Sequence, residues 1–85
     1  MQIIYSPKFS RLYKKLPTEI KHSIEKKELL FRKDPFTSSL KTHKLTGPLE
    51  GLYAFSVDYS YRVLFEFADN DTVYFHAVGD HDVYK

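Results

Sequence analysis

Apolar residues change their spacing part-way along this chain. In the first part they recur at helical intervals: Phe9, Leu12, Tyr13 and Leu16 gather on one face, and Ile20, Ile24, Lys27 and Phe31, with Leu30 beside them, continue the period to about Lys33. In the second part apolar and polar positions alternate through 52–57, 61–67 and 72–78, the signature of three half-buried strands. A helical pair followed by a run of strands predicts an α+β fold.

Local signals set the boundaries. Residues 1–5 read as a short strand ended by Ser6-Pro7, where Ser6 suits an N-cap and Pro7 the first helical position. Pro17 disfavours helical backbone at Leu16, so a second helix starts there, and Asp34-Pro35 closes it. Asp58-Tyr59-Ser60 and Ala68-Asp69-Asn70-Asp71 supply the turns of an antiparallel meander, and the N-terminal strand is expected to pair with one of its members. Residues 36–50 resist assignment: Thr46-Gly47-Pro48 signals a turn, while 41–45 can be extended. The expectation is a single domain over 1–85, with an N-terminal strand and helical hairpin packed on an antiparallel sheet.

Composition narrows the function classes. With 42% hydrophobic and 16% aromatic residues among 85, one small core is affordable, and Phe and Tyr must supply much of it. The absence of cysteine excludes disulfides and thiolate ligands and fits a reducing compartment. Nothing approaches the roughly 20 apolar residues of a membrane span, so a soluble, cytoplasmic protein is expected, with no membrane partner. The net charge of +2 conceals an asymmetry: residues 1–44 hold eleven Lys/Arg and four Asp/Glu, a net +7, whereas 45–85 hold two and seven, a net −5. A basic half of this kind attracts polyanions; its lysines equally suit the solvated faces of two helices.

Four positions carry candidate chemistry. His81 follows the end of the last strand in a polar loop, flanked by Asp80 and Asp82, where packing calls for no imidazole. Arg62 alternates with the Tyr61, Val63, Phe65 and Phe67 row; if that row faces the helices, Arg62 points to the open side of the sheet, either toward a ligand or into an ion pair with Glu66. His43 lies between Lys41 and Lys44, a group able to grip phosphate. Tyr84 suits base stacking and core-edge covering alike. His76 and His22 read as structural or solvent-facing. The histidines show no paired metal-ligand spacing, no serine sits in a nucleophile elbow, and neither metal nor cofactor is expected.

In this order, Ser6-Pro7-Lys8-Phe9, Leu45-Thr46-Gly47, Tyr61-Arg62-Val63-Leu64-Phe65 and Val78-Gly79-Asp80-His81-Asp82-Val83-Tyr84 resemble the RelE/ParE superfamily of toxins from type II toxin–antitoxin systems. The resemblance spans nearly the whole chain and is nearest the RelE/YafQ-like branch. It implies a RelE-like fold and an endoribonuclease that cleaves mRNA on the ribosome and is neutralised by a cognate antitoxin. Arg62 looks like the family's transition-state arginine, His81 like its basic or imidazole group, and Tyr84 like its stacking aromatic. His43 matches a histidine that the YafQ-like branch places just before Leu-Thr-Gly. Two departures stand out: Ser56 and Ser60 occupy positions where that branch has a histidine and an aspartate, and the gap from Gly79 to Tyr84 is one residue shorter than in many members.

The chemistry implied needs a base for the 2′-hydroxyl, a cation on the phosphorane and an acid for the leaving 5′-oxygen. His43 and His81 suit the proton transfers in either order, Arg62 the charge, and Lys41, Lys44 and Tyr84 substrate binding. The same resemblance admits a ParE-like protein that poisons DNA gyrase without cutting RNA, or a weakly active member that mainly binds its antitoxin.

Overall fold

Ser6 has extended backbone (φ −66°, ψ 158°), and its hydroxyl accepts the Phe9 N–H at 2.9 Å, capping helix α1, Pro7–Lys14. The same hydroxyl donates to the His76 carbonyl at 2.8 Å, which ties the helix start to the last strand. Helix α2, Thr18–Lys33, follows Pro17, and Asp34 returns the chain to extended backbone. Both helices thus begin and end where the punctuation in the sequence places them. The structure is a computed structural model describing residues 1–84; Lys85 and the side chains of His81 and Asp82 lie outside the described set.

Five strands form one sheet: β1 Gln2–Tyr5, β2 His43–Lys44, β3 Tyr53–Ser56, β4 Arg62–Phe67 and β5 Thr72–Gly79, in the order β1-β5-β4-β3-β2. The β2-to-β5 pairings are antiparallel, and β1 lies parallel to β5. The meander leaves one side of β5 unpaired, and β1 satisfies that row of backbone groups. Residues 36–50 resolve into a 3₁₀ turn, Ser38–Leu40, then β2, then a second 3₁₀ turn, Gly47–Leu49. Leu40 is fully buried, so this irregular stretch is pinned to the core.

The two sheet faces differ. Phe55, Val57, Val63, Phe65, Val73, Phe75 and Val78 pack beneath Phe9, Ile24, Phe31 and Leu40, with Tyr61 and Phe67 at the margin. Phe31 is the hub, its ring centroid 5.2, 4.9 and 5.5 Å from those of Phe55, Phe65 and Phe75. On the opposite face Ala54, Leu64 and Ala77 are covered by Leu12, Leu45, Val83 and Tyr84, the last two from a closing 3₁₀ turn, His81–Tyr84.

Simple alternation through 72–78 fails at one point. Leu64 pairs with Ala77 and Phe65 with Phe75, so His76 is an extra residue, a β-bulge. It moves Ala77 to the face away from the helices and delivers Val78 into the main core. Among the described residues, no helix is long and apolar enough to cross a membrane.

Candidate functional site

Arg62 is the first residue of β4, and its neighbours Val63 and Phe65 face the helices, so its side chain takes the other face as the alternation predicts. It does not pair with Glu66. Glu66 instead meets His76 Nε2 at 2.8 Å. Arg62 Nη1 donates to the carbonyls of Asp58 at 2.9 Å, Tyr61 at 2.9 Å and Tyr59 at 3.3 Å. Among the described residues these contacts all run through Nη1, so the donors on Nε and Nη2 remain for a ligand. Those two nitrogens form the edge that grips two phosphate oxygens at once.

The turn beneath Arg62 is built to hold still. Asp58 Oδ1 accepts the N–H groups of Ser60 and Tyr61, both at 2.8 Å, and the Val57 N–H reaches the Tyr61 carbonyl at 2.9 Å. Beside this turn lies a polar cleft of about 490 Å³, lined by Lys27, Ser39, Lys41, Ser56, Asp58, Tyr59 and Arg62. Three cations face one carboxylate there, and that carboxylate already accepts two N–H groups. The cleft therefore suits an anion.

Lys41 reaches this cleft because it follows the Ser38–Leu40 turn in left-handed backbone (φ 52°, ψ 38°), reversing the chain ahead of β2. Its carbonyl lies 3.0 Å from His43 Nδ1. A carbonyl only accepts, so Nδ1 donates, and the lone pair of the neutral ring is on Nε2. His43 pairs with Ala54, and Ser56 with Arg62, which puts His43, Ser56 and Arg62 on the same face of the sheet. Ladder spacings of ~4.8 Å between strands and ~3.4 Å per residue separate the His43 and Arg62 backbones by roughly 12 Å. His43 shares the face with Arg62 but does not line the cleft.

Other expected residues fall differently. Lys44 pairs with Tyr53, whose ring belongs to the helix side, so Lys44 lies on the face opposite His43. Tyr84 packs against the Ala54, Leu64 and Ala77 cluster, the core-edge alternative. The side chain of His81 lies outside the described residues. Its backbone starts the closing turn two residues after Gly79, which is Arg62's partner across the β4–β5 ladder, so topology brings it to the same end of the sheet. His22 is exposed on α2.

Lys27 and Ser39 were not anticipated. The signal for Lys27 is its place on the apolar stripe of α2, three residues after Ile24 and four before Phe31. A lysine on that stripe needs a polar destination, and the cleft provides it. A separate apolar hollow of about 520 Å³, among Tyr5, Phe9, Tyr13 and Ile24, lies on the helix side. There burial and then the Glu28 carboxylate, which accepts from its hydroxyl, raise the pKa of Tyr5.

No family model matches the chain, and no curated protein matches it by sequence. Solved structures do match in shape. YafQ from E. coli superposes with a TM-score of 0.81 at 18% identity, over 98% of this chain and 96% of that one. The YoeB/ParE toxin from Agrobacterium tumefaciens gives 0.79 at 13% identity, over 95% and 99%. The E. coli DinJ–YafQ toxin–antitoxin complex gives 0.77 at 20% identity, over 95% and 92%. The N-terminal strand, helical pair and antiparallel meander are thus those that the sequence implied, and the chain has the RelE-like fold of these toxin structures.

Proposed function

We infer that this protein is the toxin of a type II toxin–antitoxin pair and acts in the cytoplasm as a metal-independent endoribonuclease, cutting mRNA on the ribosome until a cognate antitoxin binds it. Fold alone does not decide activity. The observation that carries the reading is Arg62, whose Nη1 is fixed by three turn carbonyls while Nε and Nη2 remain for an anion in a cationic cleft.

In this reading a phosphodiester lies between Arg62 and His43. His43 Nε2 takes the 2′-hydroxyl proton, the 2′-oxygen bonds to phosphorus, and the phosphorus–5′-oxygen bond breaks. His81 returns a proton to the leaving 5′-oxygen, giving a 2′,3′-cyclic phosphate and a 5′-hydroxyl. Arg62 and Lys41 stabilise the dianionic phosphorane, a task that mutagenesis elsewhere values at about 10²–10³-fold in rate per donor. Tyr84 borders the substrate, whereas Lys44, on the opposite face, takes no part in the step.

Expression of the chain should arrest growth, and Arg62→Ala and His81→Ala should each relieve the arrest while the purified variants keep the parent circular dichroism. Primer extension on messages from a translating extract should show new 5′ ends with the parent and not with either variant. Toxicity undiminished in both variants at equal expression would sink the assignment. Blocked supercoiling by gyrase with intact messages would instead mark a ParE-like poison.

A further inference from the structure

Among the large hydrophobic side chains of the described residues Tyr59 is the most exposed, at 93%, and it stands at the rim of the Arg62 cleft. An aromatic ring placed fully in water gains nothing for folding and leaves apolar area uncovered. Its backbone, in contrast, is held firmly. The Tyr59 carbonyl accepts from Arg62 Nη1, and the residues on either side of it, Asp58 and Ser60, are joined through the Asp58 carboxylate. The ring is therefore an exposed side chain on a fixed base, within the carboxylate-capped turn and three residues from Arg62.

We propose that Tyr59 is a base-stacking platform, and that the cleft takes a single-stranded RNA nucleotide with its base on the Tyr59 ring and its phosphate among Arg62, Lys41 and Lys27. The inference rests on reading the cleft as an RNA site and adds the residue that engages the base. A duplex keeps its bases stacked on one another and offers no free face to a tyrosine; a single strand does. The cleft volume of about 490 Å³ falls within the roughly 300–1,000 Å³ of small-ligand sites, enough for one nucleotide and not for a helix. Tyr84 is less suited to this role, because it packs against the Ala54, Leu64 and Ala77 cluster.

The chain contains no tryptophan, so Tyr59→Trp introduces a single selectively excitable reporter on an exposed turn. The probe is a short oligouridylate with 2′-O-methyl riboses, which binds without being cut. Its addition should quench the emission of Tyr59→Trp saturably and leave that of Phe36→Trp, on the helix side, unchanged. An abasic strand of equal length and a duplex of equal charge should not quench. Anisotropy of the labelled oligonucleotide should show Tyr59→Ala binding at least about fivefold more weakly and Tyr59→Phe binding like the parent.

Equal affinity for the parent and Tyr59→Ala, quenching by the duplex as strong as by the single strand, or no binding of the oligonucleotide at all would each overturn the proposal. The two readings fail separately. Stacking with no message cleavage in translating extracts leaves Tyr59 a binding residue of a protein that is not a nuclease; cleavage unaffected by Tyr59→Ala leaves the nuclease without this platform.

Discussion

Arg62 was expected on the open side of the sheet, facing a ligand or paired with Glu66, and its position explains why the ion pair does not form. Glu66 shares its face, but four residues along a strand span about 13 Å, beyond the reach of a salt bridge. The partner that spacing did not suggest was the peptide backbone of the preceding turn, which fixes one nitrogen and leaves the rest of the fork. Asp69 makes a comparable local bond in the next turn, accepting the Asp71 N–H at 2.8 Å. That hydrogen bond, foremost among the causes, holds its carboxyl below the ordinary value. A folded-state pKa lower than the unfolded one means a contribution to stability that is complete above the unfolded value, about 3.9, and lost as pH falls through the folded one. Carboxyl-carbon NMR should therefore show Asp69 titrating below the aspartates of an unstructured peptide, and Asp69→Asn should flatten the acid limb of the stability profile.

Helix and strand boundaries follow from chemistry confined to a few adjacent residues, which is why Ser6-Pro7, Pro17 and Asp34-Pro35 mark them correctly. Ser6 also acts at long range, because the hydroxyl that caps α1 bonds to the His76 carbonyl in β5. Ser6→Ala removes both bonds and is expected to cost about 1 kcal/mol or somewhat more in urea unfolding, whereas Ser10→Ala, mid-helix and exposed, should be nearly neutral. The bulge at His76 belongs to the opposite category. Nothing in Thr72 to Gly79 marks an extra residue, and period two alone assigns Ala77 to the wrong face. What decides it is packing: the small Ala77 joins Ala54 and Leu64 under the closing turn, while Val78 fills the main core. The two-residue β2 is likewise invisible locally, since so short a strand exists only by pairing with β3.

The main core is an aromatic cluster with Phe31 at its centre, and a domain of this size has little stability in reserve. At 0.05–0.15 kcal/mol per residue the total is roughly 4–13 kcal/mol, and removing a buried phenyl ring costs about 3–5 kcal/mol. Phe31→Ala should therefore remove a large share of that stability and clearly lower the melting temperature by circular dichroism, while Phe36→Ala, 57% exposed, should melt close to the parent. The basic first half and acidic second half acquire meaning only once folded, because Lys27 from α2 and Lys41 from the linking turn meet Arg62 from β4 in one cleft.

Taken by itself, the sequence determined what depends on near neighbours: two helices and their ends, three long strands and their turns, which row of β4 faces the helices, and, through short motifs, the RelE-like architecture. Only the tertiary structure decided the parallel pairing of β1, the bulge, the engagement of Arg62 with its turn, the opposite facing of His43 and Lys44, and the recruitment of Lys27 and Tyr59 to the cleft. Periodicity and capping are local properties that a linear string retains. Cross-strand register and the convergence of distant side chains depend on how the whole chain closes its core, and no window of the sequence contains them.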